Sequence, residues 1–310
     1  MSAPSVARAT LRIGTRRSPL ARAQAAWVGA QLSATGDYAV ELVDVTTAGD
    51  VSTSAVPDLG GTGVFVSALR EALCAGSVDL AVHSLKDLPT EPAPGVLLAA
   101  VPLREDPRDA LCSSAGFTLA ELPRGSTVGT GSPRRTAQLR ALGLGLDVVP
   151  IRGNVDTRLD KTARGDVDAV VVARAGLARL GRLDAVSEVL DPLQMLPAPG
   201  QGALAVECRA EDGETLRLAA ALDDAPTRAC VTAERALLSA LAAGCTAPVG
   251  ALADVADDEI YLRGVVAAID GTVALRHSVT GPASDPRELA LRLAQLMYDD
   301  GAAVLVGADA

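Results

Sequence analysis

The 310-residue sequence predicts an α/β protein with two related lobes and a third, smaller α+β domain at its C-terminal end. Short runs rich in Val, Ile and Leu alternate with longer helical patterns, which is typical of parallel sheets joined by helical crossovers. One strand-to-helix pattern occurs in both halves of the chain. After about residue 222 the alternation changes to a helix, two strands and a final helix.

The repeated pattern is a strand followed by a Ser-Pro pair that begins a helix. In residues 11–28, Ser18 is the predicted N-cap and the proline after it takes the first helical position. Residues 127–142 repeat this arrangement with Ser132 as the cap. A glutamine follows each cap after the same interval. We therefore expect two lobes built on the same plan.

Proline and glycine clusters predict where the chain passes from one lobe to the other. The expected first lobe comprises residues 8–103 plus 200–221, and the second comprises residues 104–199. The third domain comprises residues 222–310. A ligand cleft is expected between the lobes. The Gly-, Ser- and Thr-rich residues 46–63 predict either a mobile lid of that cleft or a plain surface loop.

Composition excludes several classes of function. The net charge of -10 argues against an extended nucleic-acid surface, which needs a basic face. The sequence has neither a signal-peptide pattern nor an apolar run long enough to span a bilayer, so we expect a cytoplasmic protein without a membrane partner. With two histidines and no Cys-x-x-Cys pair, no metal site is expected.

Five cysteines, an odd and widely spread number, do not indicate a disulfide framework. Four of them fall in helical or strand patterns and are expected to be small packed residues: Cys74, Cys112, Cys208 and Cys230. Cys245 differs because it follows a glycine and precedes Pro248, which predicts a loop. The residues leave two interpretations open, an inert loop cysteine or a nucleophilic thiol that carries a group covalently.

Six arginines follow the ends of predicted strands, where open α/β sheets bind ligands. Each alone would be interpreted as a solvated surface residue. Together they favour a ligand with several carboxylates, because a guanidinium holds a carboxylate with two parallel hydrogen bonds. These arginines are Arg16, Arg17, Arg134, Arg135, Arg152 and Arg158.

The segment HSLKD, residues 83–87, ends a predicted buried strand with a hydroxyl, an ammonium and a carboxylate. Such a strand end can form part of an active site. Lys86 and Asp87 can equally form a structural ion pair, and His83 is most simply a hydrogen-bonded core histidine. The residues alone do not decide between these interpretations.

Seven motifs in order resemble the porphobilinogen deaminase (hydroxymethylbilane synthase) family: RIGTRRSPLA, AVHSLKDLP, REDPRDA, VGTGSPRR, IRGNVDTRL, LPAPGQGALAVECR and AAGCTAPVG. The resemblance implies two periplasmic-binding-protein-like lobes and a monomer. It also implies a dipyrromethane cofactor attached to Cys245 by a thioether. Four porphobilinogen molecules would be joined head to tail onto this primer with loss of ammonia, and hydrolysis would release hydroxymethylbilane. Each pyrrole brings two carboxylates, which accounts for the arginines.

The resemblance also assigns roles to residues. Asp87 corresponds to the catalytic carboxylate, which would stabilise the cationic azafulvene left when ammonia departs. Residues that correspond to cofactor contacts are Ser84, Lys86, Thr130, Ser132, Arg134 and Arg135. Residues that correspond to substrate contacts are Arg16, Ser18, Phe65, Arg152, Arg158, Arg179 and Gln201.

The chain departs from the family pattern in a few places. Thr62 and Ser67 stand where many members have lysines, and Gly131 replaces a frequent serine. Arg22 and Ala23 stand where bulkier apolar residues are usual. The charge of the expected lid is therefore open.

Two rival functions belong to other classes. The first is a non-catalytic two-lobed binder of a small polyanion, which would need no thiol. The second is a cysteine hydrolase that pairs Cys245 with His83 or His277, for which no sequence signature is present. The state of Cys245 distinguishes these functions.

Overall fold

The computed structural model describes residues 10–36, 38–45, 63–242 and 247–307, without the side chains of residues 63–65. Contacts divide this part of the chain into two compact units. The first unit comprises the described residues up to Leu103 together with Leu204–Asp224. The second unit comprises Arg104–Ala203 and the described residues from Ala225 onward.

Strands and helices alternate through most of the described residues, as the sequence predicts. The strands are β1 (Thr10–Thr15), β2 (Ala39–Asp44), β3 (Leu80–Ser84), β4 (Val96–Ala100), β5 (Asp109–Ser113), β6 (Thr127–Thr130), β7 (Asp147–Pro150), β8 (Ala169–Ala173), β9 (Glu188–Val189), β10 (Leu204–Arg209), β11 (Val249–Ala256), β12 (Glu259–Ala267) and β13 (Ala274–Pro282). The helices are α1 (Pro19–Thr35), α2 (Gly63–Cys74), α3 (Pro133–Ala141), α4 (Val155–Ala163), α5 (Arg174–Arg179), α6 (Gly213–Ala220), α7 (Ala225–Ala240), α8 (Pro286–Asp299) and α9 (Ala302–Val306).

The sheet of the first unit has the strand order β2-β1-β3-β10-β4. β1 pairs parallel with β2 and β3, whereas β10 pairs antiparallel with β3 and β4. The expectation of parallel sheets is therefore only partly met. β10 enters this unit after the chain has returned from the second unit, and it runs in the opposite direction to β3.

The first sheet of the second unit repeats this plan with the order β7-β6-β8-β5-β9. β6 pairs parallel with β7 and β8, and β5 pairs antiparallel with β8 and β9. The antiparallel strand follows directly after a passage between units in both sheets. Equal strand order and direction agree with the repeat found in the sequence.

The C-terminal part of the second unit is an antiparallel sheet, β11-β12-β13, packed with α7 and α8. The sequence predicts two strands here, and the structure adds β11. The first five residues of β11 are all buried, so the strand lacks the polar–apolar alternation by which half-buried strands are identified. Its core includes Leu237, Leu262, Leu293 and Met297, each 0 % exposed.

Both predicted Ser-Pro helix starts are confirmed. The Ser18 side chain accepts a hydrogen bond from the backbone N–H of Ala21, and Ser132 accepts one from that of Arg135. Each helix has a proline in its first turn. The local chemistry of the cap therefore fixes where the helix begins after the strand.

Three of the cysteines expected to be packed are buried, namely Cys112, Cys208 and Cys230, but Cys74 is exposed. It is the last residue of α2, and its side chain does not face the core. No helix in the described part of the chain combines the length and apolar composition needed to cross a bilayer.

Candidate active site

In the first unit, the ends of β1 and β3 and the start of α1 form an open pocket, which we call the acid pocket. Four of the predicted site residues line it, and they come from two distant segments of the sequence, Arg16 with Ser18 and Ser84 with Asp87. The lining residues are Arg16, Ser18, Leu20, Ala21, Gln24, Val66, Val82, His83, Ser84 and Asp87. The structure therefore brings a guanidinium, two hydroxyls and a carboxylate to one place.

Asp87 reaches this pocket because β3 ends in a single 3₁₀ turn, Leu85–Asp87. Leu85 is fully buried and anchors the turn, which leaves its neighbours Lys86 and Asp87 half-buried at the surface. Ser84 is held by Gln24 of α1, whose Nε2 donates to Ser84 Oγ at 2.9 Å. Gln24 itself is only 3 % exposed. A buried amide thus fixes the strand end that carries the predicted acid.

In the second unit, Asp109 lies at the start of β5 and is fully buried between two predicted site residues. Arg134 Nη1 donates to its Oδ2 at 2.8 Å, and Arg135 Nη2 donates to its Oδ1 at 2.7 Å. Gln201 Nε2 donates to Oδ1 as well, at 2.8 Å. We call these four residues the arginine cluster.

The charges of the arginine cluster do not cancel. Burial alone would raise the pKa of Asp109, but the adjacent charges of Arg134 and Arg135 outweigh it and hold this pKa far below its ordinary value. The ionised carboxylate faces two guanidinium groups, which leaves one positive charge in excess. Arg134 also has a buried Nε without a hydrogen-bond partner among the described residues. A donor of this kind can receive a ligand carboxylate.

Arg158 adds a second unbalanced cation near the cluster. Burial, and then repulsion from Arg135, lower its pKa from the ordinary value. Its Nε donates to the backbone oxygen of Gly153 at 2.9 Å, and no carboxylate among the described residues pairs with it. A half-buried guanidinium that lacks an acid in the part of the chain described here is suited to bind an anion.

The remaining predicted residues of the second unit have local roles. Thr130 Oγ1 accepts from the backbone N–H of Ser132 at 3.2 Å, so the two residues shape the turn that precedes α3. Arg179 Nη2 donates to the backbone oxygen of Gly202 at 2.6 Å, beside Gln201. Arg152 is exposed after β7.

Two departures from the family pattern have local reasons. A Cβ at Gly131 would lie 2.8 Å from the backbone oxygen of Ile151, so a side chain there would force the turn to move. Arg22 pairs with Asp44, with Nη1 2.7 Å from Oδ1. Ser67 is exposed on α2.

Several predictions fall outside the described residues. These predictions concern Cys245, Thr62, almost all of residues 46–63 and the side chain of Phe65. Among the residues that are described, no group of three or more His, Cys, Asp or Glu side chains could hold a metal ion.

Sequence reasoning did not assign a role to Asp109 or to Gln24. A signal was present for each residue. Asp109 is an acid directly before an apolar run in REDPRDA, and Gln24 has a counterpart in Gln138 at the same distance from the helix cap. Gln138 is 1 % exposed and exchanges hydrogen bonds with the backbone of Leu196 at 2.8 and 3.0 Å.

Two known family models match the chain, and together they cover most of it. The family described as "Porphobilinogen deaminase, dipyromethane cofactor binding domain" matches residues 11–217. The family described as "Porphobilinogen deaminase, C-terminal domain" matches residues 228–299. The chain belongs to the porphobilinogen deaminase family.

Relatives in the porphobilinogen deaminase family match over nearly the whole chain. The porphobilinogen deaminase of Mycobacterium tuberculosis is 57% identical over 305 residues, which cover 96% of this chain and 98% of the relative. That of Nocardia farcinica is also 57% identical, over 96% of this chain and 88% of its own length. The resemblance stated from the seven motifs is confirmed.

Some solved structures of other proteins are similar to this chain at low TM-scores. An ancestral arginine-binding protein bound to arginine has a TM-score of 0.39 at 16% identity, covering 69% of this chain and 91% of its own. The lipoprotein Tp32 from Treponema pallidum has a TM-score of 0.43 at 12% identity, covering 68% and 88%. The family assignment rests on the sequence matches.

As a member of the porphobilinogen deaminase family, the chain is a transferase of tetrapyrrole biosynthesis with a dipyrromethane cofactor. It joins four porphobilinogen molecules head to tail with loss of ammonia and releases hydroxymethylbilane. The described residues fit such a cofactor, since the arginine cluster has an excess positive charge and an unpartnered buried donor. A primer rich in carboxylates supplies the complementary charge.

Proposed function

We propose that Asp87 is the catalytic carboxylate of this transferase and that the dipyrromethane primer is attached to Cys245 through a thioether. The observation that carries the first part is the acid pocket. Arg16, Ser18, Ser84 and Asp87 come from two distant segments of the chain and line one open pocket. A pocket that combines an anion-binding group with a partly exposed carboxylate can bind an acidic substrate and act on its polar atoms.

Asp87 acts in two ways in this proposal. Its carboxylate accepts pyrrole N–H groups and stabilises the positive charge that develops on the substrate as ammonia leaves. It also assists the proton transfers that accompany bond formation. Because these interactions strengthen in the transition state, losing them lowers kcat much more than it weakens binding.

Arg16 and Ser18 bind the side-chain carboxylates of the incoming substrate in this proposal. Lys86 and Ser84 contact the primer, which supplies the pyrrole carbon that is joined to the first substrate. The main-chain turn Leu85–Asp87 is short, so the ammonium and the carboxylate are presented by adjacent residues. Phe65, at the start of α2, is proposed as an aromatic contact of the pyrroles.

The second unit binds primer and chain carboxylates. Thr130, Ser132, Arg134 and Arg135 contact the primer in this proposal, with the buried Nε of Arg134 as one donor. Arg152, Arg158, Arg179 and Gln201 contact the growing chain. The support is electrostatic: Arg158 is half-buried without a carboxylate partner among the described residues, and the arginine cluster has one positive charge in excess. A bound anion would offset the unfavourable burial of positive charge at Arg158 and in the arginine cluster.

The proposed domains are residues 8–103 plus 200–221, 104–199 and 222–310. The passages between the two compact units near residues 103–104 and 203–204 support the limits proposed for the first domain, whereas the second and third proposed domains lie in one compact unit. We propose further that the protein works as a cytoplasmic monomer without nucleic-acid or membrane partners. A thiol that must stay reduced to take up its primer is suited to a reducing compartment.

Intact mass spectrometry tests the attachment. We expect the native protein to carry one covalent dipyrromethane adduct and Cys245→Ala to carry none. Cys74→Ala, which removes an exposed thiol in the first unit, is the matched control and should keep the adduct. An unmodified native protein with full activity would contradict the proposal.

A further inference from the structure

A buried carboxylate lies one strand away from the strand that ends in the acid pocket. Glu207 on β10 is 2 % exposed, although glutamate is seldom fully buried without a partner. β10 pairs antiparallel with β3, and Glu207 lies opposite Ala81, two residues before His83. A charge in this position is costly unless it is paired, so its partners indicate its role.

Glu207 has two partners on different elements. Arg70 of α2 grips it with both ends of the guanidinium, Nη2 to Oε1 at 2.7 Å and Nε to Oε2 at 3.0 Å. His83 of β3 places Nε2 3.2 Å from Oε2, with its N–H imperfectly aligned. Burial alone would raise the pKa of Glu207, but the adjacent His83 and Arg70 side chains outweigh burial and lower it to about 2. The carboxylate is therefore ionised at neutral pH.

Both partners belong to elements that form walls of the acid pocket. His83 lines this pocket and lies four residues before Asp87 in one continuous strand and turn. Arg70 lies one helical turn after Val66, which lines the same pocket from α2. Glu207 is not among the lining residues. It can act on the pocket only by holding the elements around it.

Stability alone does not account for these charges. A buried ion pair is often no more stable than well-packed apolar residues of similar volume, because both ions lose their hydration. An ion pair does differ from an apolar contact in fixing direction, since the bidentate hydrogen bonds of Arg70 to Glu207 require one relative orientation of the two groups. A fixed geometry is useful where a strand end must be placed accurately.

We propose that Glu207 is a positioning residue, which through His83 and Arg70 fixes β3 against α2 and so sets the place of Asp87 in the acid pocket. The inference rests on the role proposed above for Asp87. It predicts that loss of the Glu207 charge lowers turnover while substrate binding, which depends on the arginines and serines, stays nearly unchanged.

The test uses the holoenzyme of Glu207→Gln, which keeps the size of the side chain and removes its charge. We expect kcat to fall by about tenfold to a hundredfold, the range for a displacement of about 1 Å, with KM within about twofold. The chain has only two histidines, His83 and His277, so ring signals of ¹⁵N-histidine-labelled protein can be assigned with one variant. The ring signals of His83 should shift and those of His277 should not. Glu207→Asp, which keeps the charge, should restore part of kcat.

Leu32→Ala is the control for general destabilisation, because Leu32 of α1 is buried in the core of the first unit and takes part in neither ion pair of Glu207. It should lower Tm and leave kcat near the native value. Equal kcat losses in Glu207→Gln and Leu32→Ala at equal loss of Tm would overturn the proposal, and so would unchanged His83 signals in Glu207→Gln.

Two further variants test the proposal if Glu207→Gln gives no clear result. If Glu207→Gln does not fold, Arg70→Gln removes the other charge of the pair, and the same drop in kcat at constant KM is expected; a native kcat would overturn the proposal. Normal turnover by Asp87→Asn would overturn the role of Asp87 instead. In that case the His83 signals of Glu207→Gln would still shift, so the two failures can be told apart.

Discussion

The acid pocket and the arginine cluster are built on the same strand-to-helix turn, yet they treat a carboxylate in opposite ways. In the first unit, the Ser18 turn faces Asp87, a half-buried acid in an open pocket. In the second unit, the helix that Ser132 caps carries two arginines that enclose Asp109, which is fully buried. One acid is available to a substrate, whereas the other is used to hold arginines.

The difference shows how two units with the same strand order can use a carboxylate for different purposes. A buried carboxylate shared by two guanidiniums fixes their orientation and leaves one positive charge for a ligand. An accessible carboxylate at a strand end can change its interactions during a reaction. We therefore assign chemistry to the acid pocket and carboxylate binding to the arginine cluster, and each variant below tests one side of this division.

The largest expected effect comes from Asp87→Asn. It removes the negative charge from the acid pocket and keeps the side-chain size, so kcat should fall by about 10²- to 10⁴-fold with little change in KM. Steady-state formation of hydroxymethylbilane measures this. Glu91→Gln, an exposed acid shortly after the same turn, is the control and should be unaffected. Native turnover by Asp87→Asn would refute its catalytic role.

Asp109→Asn should have the largest effect on stability. It leaves two buried arginines without their shared counterion, which costs about 3–5 kcal/mol in the free energy of unfolding. Denaturant unfolding at neutral pH measures the loss. The control is Asp254→Asn, which removes an exposed partner of Arg263 and should cost at most about 1 kcal/mol. Equal losses in the two variants would show that the arginine cluster does not depend on Asp109.

The smallest expected effects concern the helix caps that the two units share. Ser18→Ala and Ser132→Ala each remove a side-chain acceptor from a first-turn N–H and should each cost about 1 kcal/mol. Thermal unfolding of both variants measures this, with Ser33→Ala at an exposed position of α1 as the control. A large cost at only one cap would mean that the two turns are not equivalent in their contribution to stability.

The features that the sequence predicted well are those with local causes. The ends of β1 and β6 and the starts of α1 and α3 follow from apolar runs and Ser-Pro caps, which act over a few residues. The location of Asp87 at the end of a buried strand was predicted for the same reason. The repeat between the halves was visible because both copies keep the same spacing.

The features that the sequence did not predict depend on distant contacts. Asp109 meets Arg134 and Arg135 across 25 and 26 residues of chain, and only the packing of α3 onto β5 and β8 brings them together. The direction of β10 depends on the return of the chain, and the burial of most of β11 removed its alternation. No local pattern contains this information.

The most direct test of the division of labour is intact mass spectrometry of Asp87→Asn and Asp109→Asn, purified side by side. We expect Asp87→Asn to carry the dipyrromethane adduct, alone or with further pyrroles, because its arginine cluster is intact. We expect Asp109→Asn to be folded at low temperature but without the adduct. A fully loaded Asp109→Asn protein, or an Asp87→Asn protein without any adduct, would contradict the account.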